Sequence, residues 1–353
     1  MIVKNIMNDK KLPTFSVILP IYNVEKFLKD ALDSLKNQTF GDFEAICVND
    51  ASTDNSLKLL EDFARYDERF RVFDQVNKGQ GITRNESTLI AKGKYVLYLD
   101  PDDFYDLDLL QKINDAFLKF DVDIVQFDYV TAEESSGKTI EKMVFREMFK
   151  EKFSLDLKTN TPYSWSEISD TRLPLVSTCV WDKAYKRDFL IDNNIKCGTT
   201  RVGQDLILAI SSVLKAQKIV YIENAFYHYR MRKSSVVHTL LNNIFEIFED
   251  LDDIKNFLIK EKLFEKFKED FLEFSLNTFS FNYVRVPLDI QNDYCLKVED
   301  YLDNDRFKRF NKIVNGNLSL IERILSFTNR TIANQRYKII RLLFWEFKIK
   351  INH

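Results

Sequence analysis

The sequence Lys94-Tyr-Val-Leu-Tyr-Leu-Asp-Pro-Asp-Asp103 joins an apolar run directly to three carboxylates within four residues. The apolar part is rich in aromatic and β-branched side chains, which predicts a buried β-strand. Pro101 has no backbone N–H to donate to a sheet, so we expect the strand to end there. Asp and Pro are also ordinary turn residues, and the stretch taken alone is equally compatible with a solvated turn.

The three carboxylates Asp100, Asp102 and Asp103 repel one another unless a cation or hydrogen bonds compensate. Open α/β sheets bind their ligands at the carboxyl ends of their strands, which is where these acids are expected. The economical interpretation is a divalent metal that holds a phosphorylated ligand.

Strands and helices alternate along the first 130 residues, which predicts a parallel α/β sheet. The predicted strands are 14–22, 43–49, 70–75, 94–99 and 123–129, and apolar side chains at helical spacing separate them. No glycine lies between the first strand and the helix after it. A dinucleotide-binding turn needs glycines there, so that class of site is disfavoured.

Composition sets broader limits. The 353 residues are 45% hydrophobic and 30% charged, which is typical of a soluble globular protein with a sizeable core. The net charge of −3 argues against binding nucleic acid through bulk charge. Four widely spaced cysteines favour reduced thiols, and the N-terminus has no apolar signal segment, so we expect a cytoplasmic location.

We predict a leader at 1–13, an α/β domain at 14–233 and a helical region at 234–353. Within the helical region, 330–353 mixes basic with aromatic residues, as helices at an anionic membrane surface do. The alternative is a helix that packs on the domain or on a second chain, which leaves an oligomer open.

Candidate ligand-binding side chains follow the strand ends. Asp50 ends the second predicted strand, and Asp100 and Asp102 end the fourth, so all three are expected in one crevice. Lys78 and Arg84 flank that edge and would neutralise phosphate, although each alone is typical of a solvated surface. Mg²⁺ or Mn²⁺ takes few protein carboxylates and completes its shell with diphosphate oxygens and water. Together these residues predict a nucleotide-diphosphate pocket.

Four segments in this order resemble the family-two glycosyltransferases with the GT-A fold: Phe15–Asn23, Val48–Ser56, Asn77–Asn85 and Tyr98–Asp103. The resemblance covers 14–129 well and extends more loosely to Arg232. With it, 14–233 would be a catalytic domain with a nucleotide-binding half, 14–130, and an acceptor-binding half, 131–233. It implies a Rossmann-like, mostly parallel sheet with flanking helices, to which the α-helical C-terminal region is added.

The resemblance also implies a reaction. A sugar would pass with inversion from a nucleotide-diphosphate donor, most often a UDP-sugar, to a hydroxyl of a glycan or lipid-linked glycan. Surface polysaccharide, lipooligosaccharide and capsule are the expected products, made at the cytoplasmic face of the inner membrane. The alternatives are a non-catalytic nucleotide-sugar-binding or scaffold protein, and a sugar nucleotidyltransferase, which would need a glycine-rich phosphate loop that Pro20–Glu25 lacks.

The resemblance assigns roles on the donor side. Asp50 would contact uracil, and Pro20 and Tyr22 would line the base pocket. Asp100 and Asp102 would serve the ribose and the metal. Two further residues, Arg230 and Arg232, would close over the diphosphate.

On the acceptor side, Asp205 would be the general base, kept ionised by the dipole of the helix it begins. Trp181 and Lys183 would contact the acceptor, with a core aromatic as the alternative for Trp181. His228 would either complete the metal shell or pack in the core.

The chain departs from the family pattern at four positions. Gln204 stands where an acid is common, which puts the pKa of its neighbour Asp205 in question. Asn49, Ala51 and Thr83 stand where Asp, Gly and Ala are common.

Overall fold

The structure is a computed structural model that describes residues 12–175, 177–231, 243–283 and 286–314. The chain divides into two compact units, Met1–Phe271 and Leu272–His353. The predicted leader, apart from residues 12 and 13, and the predicted tail at 330–353 lie outside the described residues.

The first unit is built on one sheet, which has nine strands in the described part of the chain. The strands are β1 (Phe15–Ile21), β2 (Phe43–Asp50), β3 (Phe70–Gln75), β4 (Tyr95–Tyr98), β5 (Phe104–Tyr105), β6 (Ile124–Glu133), β7 (Thr139–Met143), β8 (Lys183–Lys186) and β9 (Ile219–Met231). Their order is β3-β2-β1-β4-β8-β6-β9-β5, with β7 paired to β6. The first four strands are parallel, so their carboxyl ends meet at one edge.

Helices cover the sheet in this unit. They are α1 (Glu25–Lys36), α2 (Ser56–Tyr66), α3 (Gln80–Ile90), α4 (Leu109–Phe120), α5 (Phe145–Phe153), α6 (Trp165–Ile168), α7 (Arg187–Asp192), α8 (Asp205–Lys215) and α9 (Glu246–Lys260). The apolar spacing predicted from the sequence is the buried face of α1, where Leu28, Ala31, Leu32 and Leu35 are fully buried.

The helix α10 (Phe264–Tyr283) crosses the division between the two units. The second unit continues with a 3₁₀ turn at Leu288–Ile290, α11 (Gln291–Tyr301) and α12 (304–314). Its buried side chains are mainly aromatic and aliphatic, among them Phe279, Tyr294, Val298 and Phe310. The predicted fold class, an α/β sheet domain with a helical C-terminal region, is confirmed.

The second half of the sheet departs from a simple parallel arrangement. β8 runs antiparallel to both β4 and β6. Between β6 and β8 the chain first forms β7, which pairs antiparallel with β6. The basic and aromatic residues Tyr227–Met231 form the end of β9.

The helix α9 lies in the same compact unit as the sheet, although the sequence placed it in the region from 234 onward. Thr200 on the loop before α8 donates a hydrogen bond to Asp250 of α9. The compact unit therefore continues to Phe271. The functional division at 233 stays a prediction.

Among the described residues, no helix combines the length and the apolar character needed to cross a bilayer.

The backbone conformation at Ala51 explains why glycine is common at this position in the family pattern. It follows β2 with φ +64°, in the left-handed region that glycine adopts without steric cost. We expect Ala51→Gly to raise the free energy of unfolding by about 0.5–1 kcal/mol, measured by denaturant titration. Ala45→Gly, in the buried interior of the same strand, is the matched control and should lower it. A loss of stability in Ala51→Gly would contradict this explanation.

Candidate active site

The crevice at the carboxyl ends of β1, β2 and β4 is bounded by two loops that hold each other. The Thr53 backbone N–H donates to Asn23 Oδ1 over 2.7 Å, and the Val24 N–H donates to Ser56 Oγ over 3.1 Å. Side-chain oxygens thus satisfy backbone groups that open loops leave unpaired. The predicted base-pocket residues lie on this side, with Pro20 buried in β1 and Tyr22 half exposed just after it.

Asp50 lies at this edge as predicted, buried at the end of β2. Its Oδ1 accepts hydrogen bonds from the Lys78 backbone N–H over 2.7 Å and from Gln75 Nε2 over 2.8 Å. Its Oδ2 accepts the Gly79 N–H over 2.8 Å, and its carbonyl oxygen accepts Asn77 Nδ2 over 2.9 Å. Asp50 therefore shapes the loop 77–79, and its contact with uracil stays a prediction.

Lys78 reaches Asp50 through its backbone only. Its side chain is partly exposed, and the ammonium pairs with the Glu86 carboxylate over 2.8 and 2.9 Å. The predicted contact of Lys78 with phosphate stays a prediction.

Arg84 occupies a position that the sequence did not indicate. The residue belongs to α3 and is only 1% exposed. Its Nη1 donates to Asp205 Oδ1 over 2.5 Å, and its Nη2 donates to Asp100 Oδ1 over 2.6 Å. The sequence suggested a flanking cation, whereas the guanidinium is buried between two carboxylates. It connects the end of the β4 segment to the start of α8.

Asp205 begins α8, as the sequence predicted, and a quarter of its side chain is exposed. Burial raises the pKa of its carboxyl to about 6; Arg84 opposes that rise, and the charge of Asp100 adds to it. The pKa is therefore raised, in spite of the favourable helix dipole. A carboxylate with a pKa near 6 is mostly ionised at neutral pH and still able to accept a proton.

Asp103 is the third acid of the turn Asp100–Asp103 after β4, which we call the acidic turn. Its buried side chain points away from this crevice into the protein. Its Oδ2 accepts the Tyr227 hydroxyl over 2.6 Å, and its Oδ1 accepts the Arg230 N–H over 2.7 Å. Burial and the charges of Asp102 and Asp100 raise the pKa of Asp103 well above its usual range. This residue joins the acidic turn to β9, a role that the sequence does not reveal.

The predicted metal ligands are Asp100 and Asp102, two carboxylates that are both partly exposed. Over the ranges that the structure describes, no group of three or more His, Cys, Asp or Glu side chains is arranged to hold a metal. Two carboxylates nevertheless fit Mg²⁺ or Mn²⁺ when a bound diphosphate and water supply the other oxygens. Their role as ligands stays a prediction.

His228 adopts the packed alternative. Its Nε2 lies 2.6 Å from Asp106 Oδ1, and its ring stacks on Phe104 with 4.4 Å between the centroids. The ring is mostly buried.

Arg230 is also buried, and each of its guanidinium nitrogens is hydrogen-bonded. Nε donates to the Asp102 carbonyl oxygen over 2.9 Å, Nη1 to the Glu134 carbonyl oxygen over 2.9 Å and Nη2 to Asp30 Oδ2 over 2.7 Å. It thus braces the backbone of the acidic turn. Its predicted closure over a diphosphate stays a prediction, and Arg232 lies outside the described residues.

The two residues predicted to contact the acceptor are buried. Trp181 is 5% exposed and stacks on Tyr227 at 4.3 Å between the ring centroids. Lys183 is 2% exposed, and its Nζ donates to Asp182 Oδ1 over 2.7 Å and to the Cys179 carbonyl oxygen over 2.8 Å. Trp181 is therefore a core aromatic, and any acceptor contact of either residue stays a prediction.

Sequence reasoning missed the loop 197–204, which leads into α8. Arg201 Nη1 donates to Asn77 Oδ1 over 2.5 Å, and Gln204 Nε2 donates to Gln80 Oε1 over 3.2 Å. These bonds join the loop that Asp50 shapes to the loop before Asp205. More than 120 residues separate the partners, so no local pattern in the sequence announces the contacts.

The fold is the GT-A fold, which solved glycosyltransferases share. The chain matches the crystal structure of S. aureus TarS 1–349 in complex with UDP-GlcNAc, with a TM-score of 0.55 and 19% identity over 87% of this chain and 92% of that one. It matches the mannosyltransferase PcManGT from Pyrobaculum calidifontis, in complex with GDP-Man and Mn²⁺, with a TM-score of 0.52 and 12% identity over 95% and 86%.

Residues 16–178 match the family model described as Glycosyl transferase family 2. Poly(ribitol-phosphate) beta-glucosyltransferase from Bacillus spizizenii is 29% identical over 245 residues, which cover 67% of this chain and 36% of that protein. The chain spans 65%, 31% and 63% of the length of three other curated relatives. The predicted resemblance to the family-two glycosyltransferases is therefore confirmed for residues 16–178.

The bridge through Arg84 can be tested by titration. We expect Arg84→Gln to raise the pKa of Asp205 above about 6, because burial and Asp100 still raise it while the opposing cation is gone. The free energy of unfolding should fall by about 3 kcal/mol, since two partly buried acids lose their partner. Carbon-13 NMR of labelled aspartate carboxyls measures the pKa, with Asp205→Asn as the assignment. Arg69→Gln, which breaks the separate pair with Asp67, should leave this titration unchanged.

Proposed function

We propose that this chain is an inverting, metal-dependent glycosyltransferase that moves a sugar from a nucleotide diphosphate, most often UDP, to a hydroxyl of a glycan. One observation carries the proposal. The Arg84 guanidinium holds Asp205, a partly exposed acid with a pKa of about 6, beside Asp100 of the acidic turn. A candidate base therefore adjoins the candidate diphosphate site at the ligand-binding edge of the sheet.

The donor assignment rests on the loop that Asp50 shapes and on the fold. TarS, which shares the fold, was solved with UDP-GlcNAc, and PcManGT with GDP-Man. In our proposal the uracil ring stacks near Tyr22. The Asp50 carboxylate accepts the imide N–H of uracil and keeps its hydrogen bonds to the loop 77–79. A carboxylate has about four acceptor positions, and the loop 77–79 and Gln75 use three of them.

The proposed reaction depends on the ionised carboxylate of Asp205. Its carboxylate takes the proton of the acceptor hydroxyl while that oxygen attacks the anomeric carbon. The bond to the diphosphate breaks on the opposite face, so the configuration at that carbon inverts. Arg84 stays charged throughout and keeps the base in place between steps. The proton then leaves Asp205 to solvent through its exposed side.

Asp102 and Asp100 would hold the Mg²⁺ or Mn²⁺. When bound, such an ion stabilises the charge that develops on the departing diphosphate. A solved relative of this fold carries Mn²⁺ with its GDP-Man. Arg230 braces the Asp102 backbone from behind, which keeps this acid in place for a ligand.

The proposed acceptor is a surface glycan or lipid-linked glycan, and teichoic-acid and exopolysaccharide chemistry fit best. The support is the resemblance to poly(ribitol-phosphate) beta-glucosyltransferase, which by its name acts on a polyol-phosphate polymer. Such acceptors grow at the cytoplasmic face of the membrane, where we propose that this protein works.

Donor binding is the first test. A UDP-sugar at 100 times its dissociation constant should add about 2.7 kcal/mol to the free energy of unfolding, and thermal unfolding with and without Mn²⁺ measures the shift. GDP- and TDP-sugars should shift the midpoint less. Asp102→Asn should remove the metal-dependent part, while Asp188→Asn, an exposed control on α7, should retain it. The donor proposal fails if no nucleotide sugar shifts the midpoint.

Turnover tests the base. We expect Asp205→Asn to lower kcat by about 10²–10⁴-fold with the donor still bound. In the wild type, kcat/KM should rise with pH through about 6, because only the deprotonated carboxylate accepts the proton. Asp192→Asn, an exposed control on α7, should match the wild type. Proton NMR of the product reports inversion. Binding without turnover in the wild type would favour a scaffold protein instead.

A further inference from the structure

An acid on α9 is buried against the loop that precedes the proposed base. Asp250 is 2% exposed, and its Oδ1 accepts the hydroxyl of Thr200. One residue further on, the Arg201 backbone N–H donates to the carboxylate of Glu246, also on α9. Two side chains of α9 thus hold two consecutive residues of the loop 197–204.

The contact at Asp250 leaves no room for a side chain at Gly203, where a Cβ would lie 2.3 Å from Asp250 Oδ2. The carbonyl oxygen of Gly203 accepts the Leu206 N–H over 2.9 Å in the first turn of α8. The position of Asp250 is therefore transmitted through the backbone to the turn that carries Asp205.

The opposite side of the same loop is held by α3, the helix of Arg84. A Cβ at Gly81 would lie 2.1 Å from the Gly198 carbonyl oxygen, so the two backbones touch. Asn85 exchanges two hydrogen bonds with the backbone of Cys197, at 2.8 and 2.9 Å. The loop is thus clamped between the helix that supplies Arg84 and the helix that supplies Asp250.

From this arrangement we infer that Asp250 is a positioning residue, which fixes the loop 197–204 so that Asp205 meets Arg84 and faces the acceptor hydroxyl. This inference rests on the proposed function, in which Asp205 is the general base. Asp250 does not touch the reacting atoms, and it acts through Thr200 and Gly203.

The free-energy cost of burying the Asp250 carboxylate supports a role other than stabilising the fold. Burial raises the pKa of Asp250 to about 7, and the nearby charges of Asp253 and Glu246 raise it further. Hydrogen bonds from the Thr200 hydroxyl and the Gly203 backbone oppose the rise. An apolar residue would avoid that cost, but it would not accept the Thr200 hydroxyl.

The test compares kcat with KM in two independent variants, Asp250→Ala and Thr200→Val. We expect each to lower kcat by about 10–100-fold, as small misplacements of catalytic groups do, and to leave the KM for the UDP-sugar within about threefold. Asp250→Asn should recover most of kcat, because its amide oxygen still accepts from Thr200. Asp252→Asn, an exposed acid on the same helix, is the matched control and should behave as the wild type.

A second measurement does not depend on turnover. Carbon-13 titration of the Asp205 carboxyl should give a pKa above about 6 in Asp250→Ala and Thr200→Val, because the carboxylate moves away from Arg84. Unchanged kcat and an unchanged Asp205 titration in both folded variants would overturn the inference. The proposed function fails separately, if the wild type binds the UDP-sugar without turnover; the titration then still decides whether Asp250 positions Asp205. Should Asp250→Ala not fold, Thr200→Val alone decides the question.

Discussion

The arrangement of the candidate active site depends on one guanidinium group. Arg84 is almost completely buried, and it holds one carboxylate from the acidic turn after β4 and another from the first residue of α8. The two acids come from halves of the domain that are more than 100 residues apart. Without a cation between them, the two carboxylates would repel each other. The shared cation keeps them together, so the turn after β4 and the start of α8 have a fixed relation.

Other polar groups around Arg84 hold the neighbouring loops and the acidic turn in place. Asp50 shapes the loop 77–79, Arg201 joins that loop to the one before α8, and Arg230 braces the acidic turn from the back. Most of these groups are buried and hydrogen-bonded, as buried polar groups in folded proteins generally are. Such a network rigidifies a site only when it is complete, which makes each member more important than its single contact suggests.

The sequence predicts the fold well and the site only in part. Apolar runs and helical spacing locate β1 to β4 and α1 closely, because burial leaves a local periodic signal. The positions of Asp50, Asp100, Asp102 and Asp205 at strand and helix ends follow from the same patterns. The bridging role of Arg84 is not predictable in this way. The sequence around an arginine in an amphipathic helix does not indicate whether its side chain is buried.

The other roles that the sequence missed are also long-range. Asp103 meets β9, and Asp250 meets the loop before α8, through partners 50 or more residues away. For Trp181 the resemblance implied an acceptor contact, with a core aromatic as the alternative, and its ring is packed in the core against Tyr227.

The two interlocked loops after β1 and β2 limit how this protein can diverge. Asn23 satisfies the backbone of the second loop, and Ser56 at the start of α2 satisfies that of the first, so neither loop can change length without disturbing the other. The segment between β6 and β8 has no such reciprocal tie to these loops among the contacts described above. Evolution therefore has more freedom to insert or replace residues in that segment than in the two loops after β1 and β2.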